Sequence, residues 1–274
     1  MANTARDAGD TARKAADSKW LEVLARVGLV AYGVVHLLVG WIALQVAWGG
    51  SGDSADQSGA LQNLAEQPYG PALLWLIALG LAALTIWQAS EATWGFQGRD
   101  AKKRVRRRVT AGAKAVVYLL LAISAARFAM GSGQSSSQSQ QSTTSGVLGL
   151  PLGRALVVAA ALIVVAVGVG HVRKAFTKKF LKEINTSAMT PAARKTITRL
   201  GQAGYAGKGA ALAVVGLLLG YAAVTFDAEK ASGLDGAMRT IAAQPFGRFL
   251  LTAVALGFVA FGLFAFAQSR YRPM

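Results

Sequence analysis

The chain has no cysteine, two histidines and six prolines among 274 residues, and only 13 acidic side chains against 29 lysines and arginines. The lack of cysteine excludes disulfide frameworks, thiolate nucleophiles and cysteine metal sites. The two histidines, His36 and His171, fall at different expected depths, which argues against ligation of one haem iron by both. No metal-ligand spacing, phosphate loop or nucleophile elbow occurs. No catalytic residue, metal or cofactor is therefore expected, and the chain reads as a non-enzyme. Charge is scarce overall, at 15%, while 53% of the chain is apolar. That balance belongs to a membrane protein. The surplus of positive charge does not point to nucleic acid, because it is confined to alternate loops between apolar stretches.

Six stretches are long enough to cross a hydrocarbon core of ~30 Å, which takes about 20 helical residues. They run approximately Val27–Trp48, Pro71–Trp94, Ala111–Met130, Leu152–Val172, Ala203–Phe226 and Gly247–Gln268. Glycine and alanine are frequent in them, as suits helices that approach closely in lipid. Trp48, Trp75 and Trp94 fall at expected interfaces, and Trp41 and Trp87, being deeper, read as packing residues. The first stretch is too long for a signal-peptide core.

Orientation follows from the loops. Five lysines and arginines precede residue 27, seven lie in 99–108 and eight in 173–199, whereas 49–70 and 131–151 have none. The positive-inside rule predicts a plasma (inner) membrane protein with both termini and the second and fourth loops in the cytoplasm.

The spans are written as one unit three times. Gln67-Pro68-Tyr69-Gly70, Leu150-Pro151-Leu152-Gly153 and Gln244-Pro245-Phe246-Gly247 open corresponding spans. Upstream, Ala31–His36, Ala113–Tyr118 and Gly207–Leu212 also align. Two anchors with nearly the same offsets predict three helix pairs. Each unit has two spans, so all three run in the same direction, and a pseudo-threefold bundle about the membrane normal is expected. The divisions read as an N-terminal tail (1–23), repeat one (24–98), a basic loop (99–107), repeat two (108–173), a basic amphipathic linker (174–198) and repeat three (199–274).

The loops differ in character. Ser58–Ala65 and Asp235–Ala242 match each other, and each predicts a short external helix capped by Ser58 or Asp235. In repeat two, 131–146 is rich in serine and glutamine and is expected to be a disordered external loop that has lost this helix. In the linker, Phe176, Phe180, Leu181 and Ile184 recur at helical spacing among lysines. This predicts a basic surface helix, with Lys174, Lys178, Lys179 and Lys182 as candidate contacts for anionic lipid headgroups. Arg104, Arg106, Arg107 and Arg108 are candidates for the same role. Thr190-Pro191 predicts the start of a further helix.

The repeated turns and six-span layout resemble a bacterial membrane family known as domain of unknown function 1206, described as a transmembrane helix pair occurring three times. Leu24–Gly28 with Tyr32-Gly33 is similar to its first repeat, and Gly233–Gly236 through Gly247 to its third. The resemblance implies the fold and brings no activity, catalytic residue or cofactor.

Polar groups within spans carry what functional signal there is. His36 lies ten residues beyond Arg26, hence ~15 Å deep. Its equivalents are Tyr118 and Leu212. Lys114 and Lys208 are equivalent to each other and to Tyr32, ~9 Å deep. His36, Tyr118, Lys114 and Lys208 together form a candidate intramembrane polar path if they face inward. Lysines at that depth can also snorkel to the headgroups. Two readings remain open. One is a non-enzymatic membrane protein with a structural, assembly or envelope-maintenance role. The other is a small channel or transporter for a polar or anionic solute. Expected partners are the bilayer, its anionic headgroups and an unspecified membrane protein, and not nucleic acid.

Overall fold

The computed structural model describes residues 19–50, 54–95 and 101–272. Most of the expected N-terminal tail lies outside them. The described residues form nine α-helices, and six of these are long and apolar enough to span a membrane. In repeat one, α1 (Lys19–Ala47) is followed by a short α2 (Gln57–Ala65) and by α3 (Gly70–Thr93). Repeat two has α4 (Ala101–Ala129), α5 (Ser136–Leu148) and α6 (Gly153–Phe176), and repeat three has α7 (Pro191–Thr225), α8 (Gly233–Ala242) and α9 (Gly247–Tyr271). The start of α1, the end of α3, the start of α4, the 177–190 connection and the end of α9 lie at one end of the bundle, called here the terminal end. The short helices α2, α5 and α8 lie at the other, distal end.

The repeats close on one another. The second span of each unit packs against the first span of the next, as α3 on α4, α6 on α7 and α9 back on α1. Equivalent glycines set this contact. A Cβ on Gly33 would overlap the Gly262 carbonyl, and a Cβ on Gly209 would overlap that of Gly168. One turn or two further on, Gly40 lies against Ala255 and Val259, and Gly216 against Ala161 and Val165. These residues correspond by repeat offset, so two of the three interfaces share one register. In the third, Ala115 and Ala122 of α4 are buried at the corresponding places. Without a hydrophobic drive between helices in lipid, such close backbone approach supplies the dispersion contact that holds them. The first spans themselves do not pack side by side. They meet through long side chains near the axis, as Tyr32 does with Tyr118.

Within repeats, α1 packs on α3 and α7 on α9, but α4 and α6 make no comparably close contact among the described residues. The sequence explains the difference. Gly28 abuts Gly80, and Gly207 abuts Gly257. The places of Gly28 and Gly80 are taken in repeat two by Thr110 and Ile163, and Ile163 is 64% exposed. A β-branched pair holds apart backbones that glycines let touch. The ring of six therefore has one open seam.

Several expectations need correction. The stretch 131–146 is not disordered. Most of it forms α5, the counterpart of α2 and α8, with Thr144 buried where Leu61 and Met238 are buried in the others. Its polar groups find partners on neighbouring loops. Ser137 Oγ donates to the Ser232 carbonyl at 2.8 Å, Gln141 Nε2 to the Glu229 carbonyl at 3.0 Å, and the Ser136 amide to Ser58 Oγ at 2.9 Å. Composition alone hides those partners. The cap of α2 is Asp56, which accepts from the Gly59 amide, and α8 begins after Ser232, so Ser58 and Asp235 lie inside their helices. The basic stretch 99–107 is not a loop beyond its start, because α4 begins at Ala101 and lysine and arginine extend a helix readily. The 174–198 linker holds no amphipathic surface helix. It is two 3₁₀ turns (Lys179–Glu183 and Thr186–Ala188), and α7 then starts at Pro191 with Thr190 as its cap. Phe180 is fully buried against Tyr205 and Phe264. Trp41 is 58% exposed. Most of the indole surface is apolar and suits lipid, so depth does not by itself imply packing inside the bundle.

Candidate functional site

The polar residues of the spans gather in the interior toward the terminal end. Tyr32 and His36, four apart on α1, share one helical face. Opposite them, Lys208 of α7 points into the bundle. Its Nζ donates to the Tyr32 hydroxyl at 2.6 Å and lies 3.0 Å from His36 Nε2. His36 Nδ1 is 2.8 Å from the Tyr32 carbonyl. An ammonium has no acceptor capacity, so it donates to Nε2, and Nδ1 carries the ring proton and donates to the carbonyl. The ammonium also sits 4.4 Å from the centroid of Phe261 and 5.0 Å from that of Tyr32. Such ring faces attract a cation that has left water. Phe258 stacks on the imidazole at 5.9 Å. Lys208 is thus held inside the bundle and does not snorkel, yet it is only partly buried, as a side chain facing a crevice would be.

A second group continues toward the terminal end. Lys174 at the end of α6 donates to Glu183 Oε1 at 2.6 Å and to the Tyr205 hydroxyl at 3.0 Å. It lies 4.4 Å over the Tyr205 ring. Burial by itself would raise the Glu183 carboxyl, but the charges of Lys114 and Lys174, the hydrogen bond from Lys174 and the charge of Arg272 outweigh it and hold it down to about 2. Lys114 reaches this group from α4 and interacts electrostatically with Glu183, Arg272, Lys174 and Glu91. Tyr118 bridges the two groups, edge-on to Tyr32 at 5.4 Å. His171 packs on Tyr205 at 5.6 Å.

The four path candidates are therefore distributed over one interior. His36 and Lys208 touch, Tyr118 reaches them through Tyr32, and Lys114 belongs to the Glu183 group. Among the candidate headgroup contacts, Lys178, Lys179 and Lys182 are exposed at the terminal end, as are Arg106 and Arg107. Arg108 donates to the Gly95 carbonyl at 3.2 Å, and Arg104 is half-buried. Lys174 departs from its expected role, because its ammonium is taken up by Glu183 and Tyr205. A basic cavity of about 440 Å³ at the same end is lined in part by Lys178, Arg194, Lys195 and Arg199. Sequence reasoning missed Tyr205 and Glu183 as site members. Tyr205 has no polar counterpart at the same place in the other repeats, where Leu29 and Ala111 stand, and Glu183 lies in the linker beyond the aligned spans, so the span periodicity did not single them out.

The repeat geometry agrees with what comparison finds. The family described as Domain of Unknown Function (DUF1206) matches three times, over residues 27–95, 109–178 and 203–272. The chain belongs to that family. The matched stretches coincide with the three helix pairs and include every residue of the Tyr32–His36–Lys208 cluster. A curated relative, "Uncharacterized protein YxxB" of Bacillus subtilis (strain 168), is 32% identical over 256 residues, covering 93% of this chain and 92% of the relative. No solved structure matches the chain. The DUF1206 match leaves Glu183 outside its second and third stretches, so that part of the site rests on the linker.

Proposed function

We propose that this multi-pass membrane protein is non-enzymatic and binds, and passes across the bilayer, a small polar or anionic solute. The bilayer is taken to be the plasma (inner) membrane, with both termini cytoplasmic. The observation that carries the reading is the inward position of Lys208. A lysine ~9 Å from the interface can reach water by extending along the helix. Here it turns instead to Tyr32 and His36. Charge within spans is costly and marks solute pathways more often than packing. On the same side Lys114, Lys174 and Arg272 outnumber the carboxylate of Glu183, which favours an anion. The orientation rests on the loop charge bias, and the exposed Lys178, Lys179, Lys182 and Arg106 suit it as contacts for anionic headgroups.

The reading is tested by flux of small anions and polar metabolites into vesicles containing the purified protein. Lys208→Leu and His36→Leu should reduce flux while leaving yield and folding intact. Absence of wild-type flux and binding across a broad solute panel would reject it. The second reading, a structural or assembly role, is favoured by the wide apolar exposure of α4 and α6, which offers a face for a membrane-protein partner.

A further inference from the structure

The open seam gives the proposed site a shape, and the shape selects a class of ligand. The ring is closed at five of its six junctions and open at the sixth, between α4 and α6. At the distal end, α5 ties the two helices to the other loops. The seam therefore opens sideways into the bilayer.

Its walls and its floor differ in chemistry. Val117, one turn from Lys114, and Val167, one turn from His171, are 49% and 44% exposed. Toward the terminal end the lining becomes cationic. Lys114 comes from α4, Lys174 from α6, and Lys208 from α7 behind them. Glu183 lies 2.6 Å from Lys174 and its charge also acts on Lys114, with Glu91 a further acid near Lys114, while Lys208 keeps no acidic hydrogen-bond partner among the described contacts. An apolar cleft that ends where Lys114, Lys174, Lys208 and Arg272 outnumber the acids Glu183 and Glu91 near one leaflet matches a molecule with a chain and an anionic head.

We propose that the seam between α4 and α6 binds one anionic amphiphile, with its headgroup at Lys114 and Lys208 and its chain along the cleft. This rests on the interior-binding reading above and names the ligand class of the same site. A second copy of the chain fits poorly as occupant. Its spans carry a single acidic residue, Glu91, so it brings no counter-charge to those lysines. A zwitterionic lipid would fill the cleft without neutralising its floor.

The test uses the full chain in lipid nanodiscs or mild detergent, with bound lipid read by native mass spectrometry. The probes are phosphatidylglycerol and phosphatidylcholine of the same chain length, with glycerol phosphate as the head without a chain. Phosphatidylglycerol should be retained in preference to phosphatidylcholine by about thirtyfold, the scale expected from two lysines near a headgroup. Lys114→Gln with Lys208→Gln should bring the two lipids toward parity. Val167→Trp, which narrows the cleft at an exposed position and leaves the lysines in place, should lower occupancy by either lipid. Arg154→Gln, a cation at the distal end of α6, should leave the preference unchanged. Equal retention of both lipids by the wild type would mean ordinary boundary lipid and would overturn the proposal. Binding of glycerol phosphate that depends on Lys208, without retained phosphatidylglycerol, would overturn it too but leave the solute reading standing. If neither probe binds, the proposal falls, and the solute reading then depends on its own flux assay.

Discussion

Lys208 and Tyr32 hold the same place in repeats three and one, 176 residues apart, and are hydrogen-bonded to each other at 2.6 Å. Equivalent residues on repeats meet only where they face the axis that relates the repeats. Their contact therefore locates the pseudo-threefold axis, and it places the most costly side chain of the spans close to it. Lys114, the third member of the set, interacts electrostatically with Glu183 instead.

The closed junctions can be tested by cross-linking, which the cysteine-free background makes clean. The paired cysteine variants Gly40/Val259, Ala122/Ala82 and Gly216/Val165 occupy equivalent places at the three inter-repeat interfaces. Each pair should cross-link within a monomer. The pair Thr110/Ile163, equivalent to the touching Gly28 and Gly80, should not. Efficient cross-linking at Thr110/Ile163 would close the seam and remove the lateral site.

Substitution should separate the repeats energetically. Gly28→Leu drives a side chain into the Gly80 carbonyl, and overpacking of this kind costs roughly 1–3 kcal/mol. Thr110→Leu at the equivalent place in repeat two should change stability by less than about 0.5 kcal/mol, as at an unconstrained surface. Thermal unfolding in detergent measures both, and equal losses would contradict the asymmetry.

Acid stability should depend on Glu183. Its carboxyl has a folded value of about 2 against an ordinary 4.5. A depressed carboxylate contributes stability that is complete above the ordinary value and is lost as pH falls through the folded one. Melting temperature should therefore decline from about pH 4.5 toward about pH 2, and Glu183→Gln should flatten its share of that decline. Asp56 has the opposite sign. Burial raises its carboxyl, against hydrogen bonds from Ser58 and Gly59, so its contribution grows as pH falls through its folded value. Asp56→Asn should remove that gain.

Orientation is checked by impermeant thiol labelling of intact cells. Single cysteines at Gly59 and Ser137 should react from outside, and those at Lys179 and Arg106 only after permeabilisation. The reverse pattern would invert the loop-charge assignment.

Much of the fold is legible in the sequence, because its signals are local or periodic. Apolar length determines the six spans, and the Pro-x-Gly turns with their offsets determine the three units. Gly33, Gly40, Gly209 and Gly216 already mark the faces that meet. The inward turn of Lys208 was not legible, since the same residue at the same depth can snorkel, and the choice depends on the Tyr32 hydroxyl and Phe261 ring across the axis. Nor was α5, whose serines and glutamines are satisfied by the loops of the other two repeats. The seam lay between these cases: Thr110 and Ile163 are plain in the sequence, but their meaning depends on the glycine contacts of the other repeats. Local chemistry specified the helices and their order. Only the tertiary structure decided which polar groups share an interior, because that depends on partners from other helices, as with Lys208 and Tyr32, 176 residues apart.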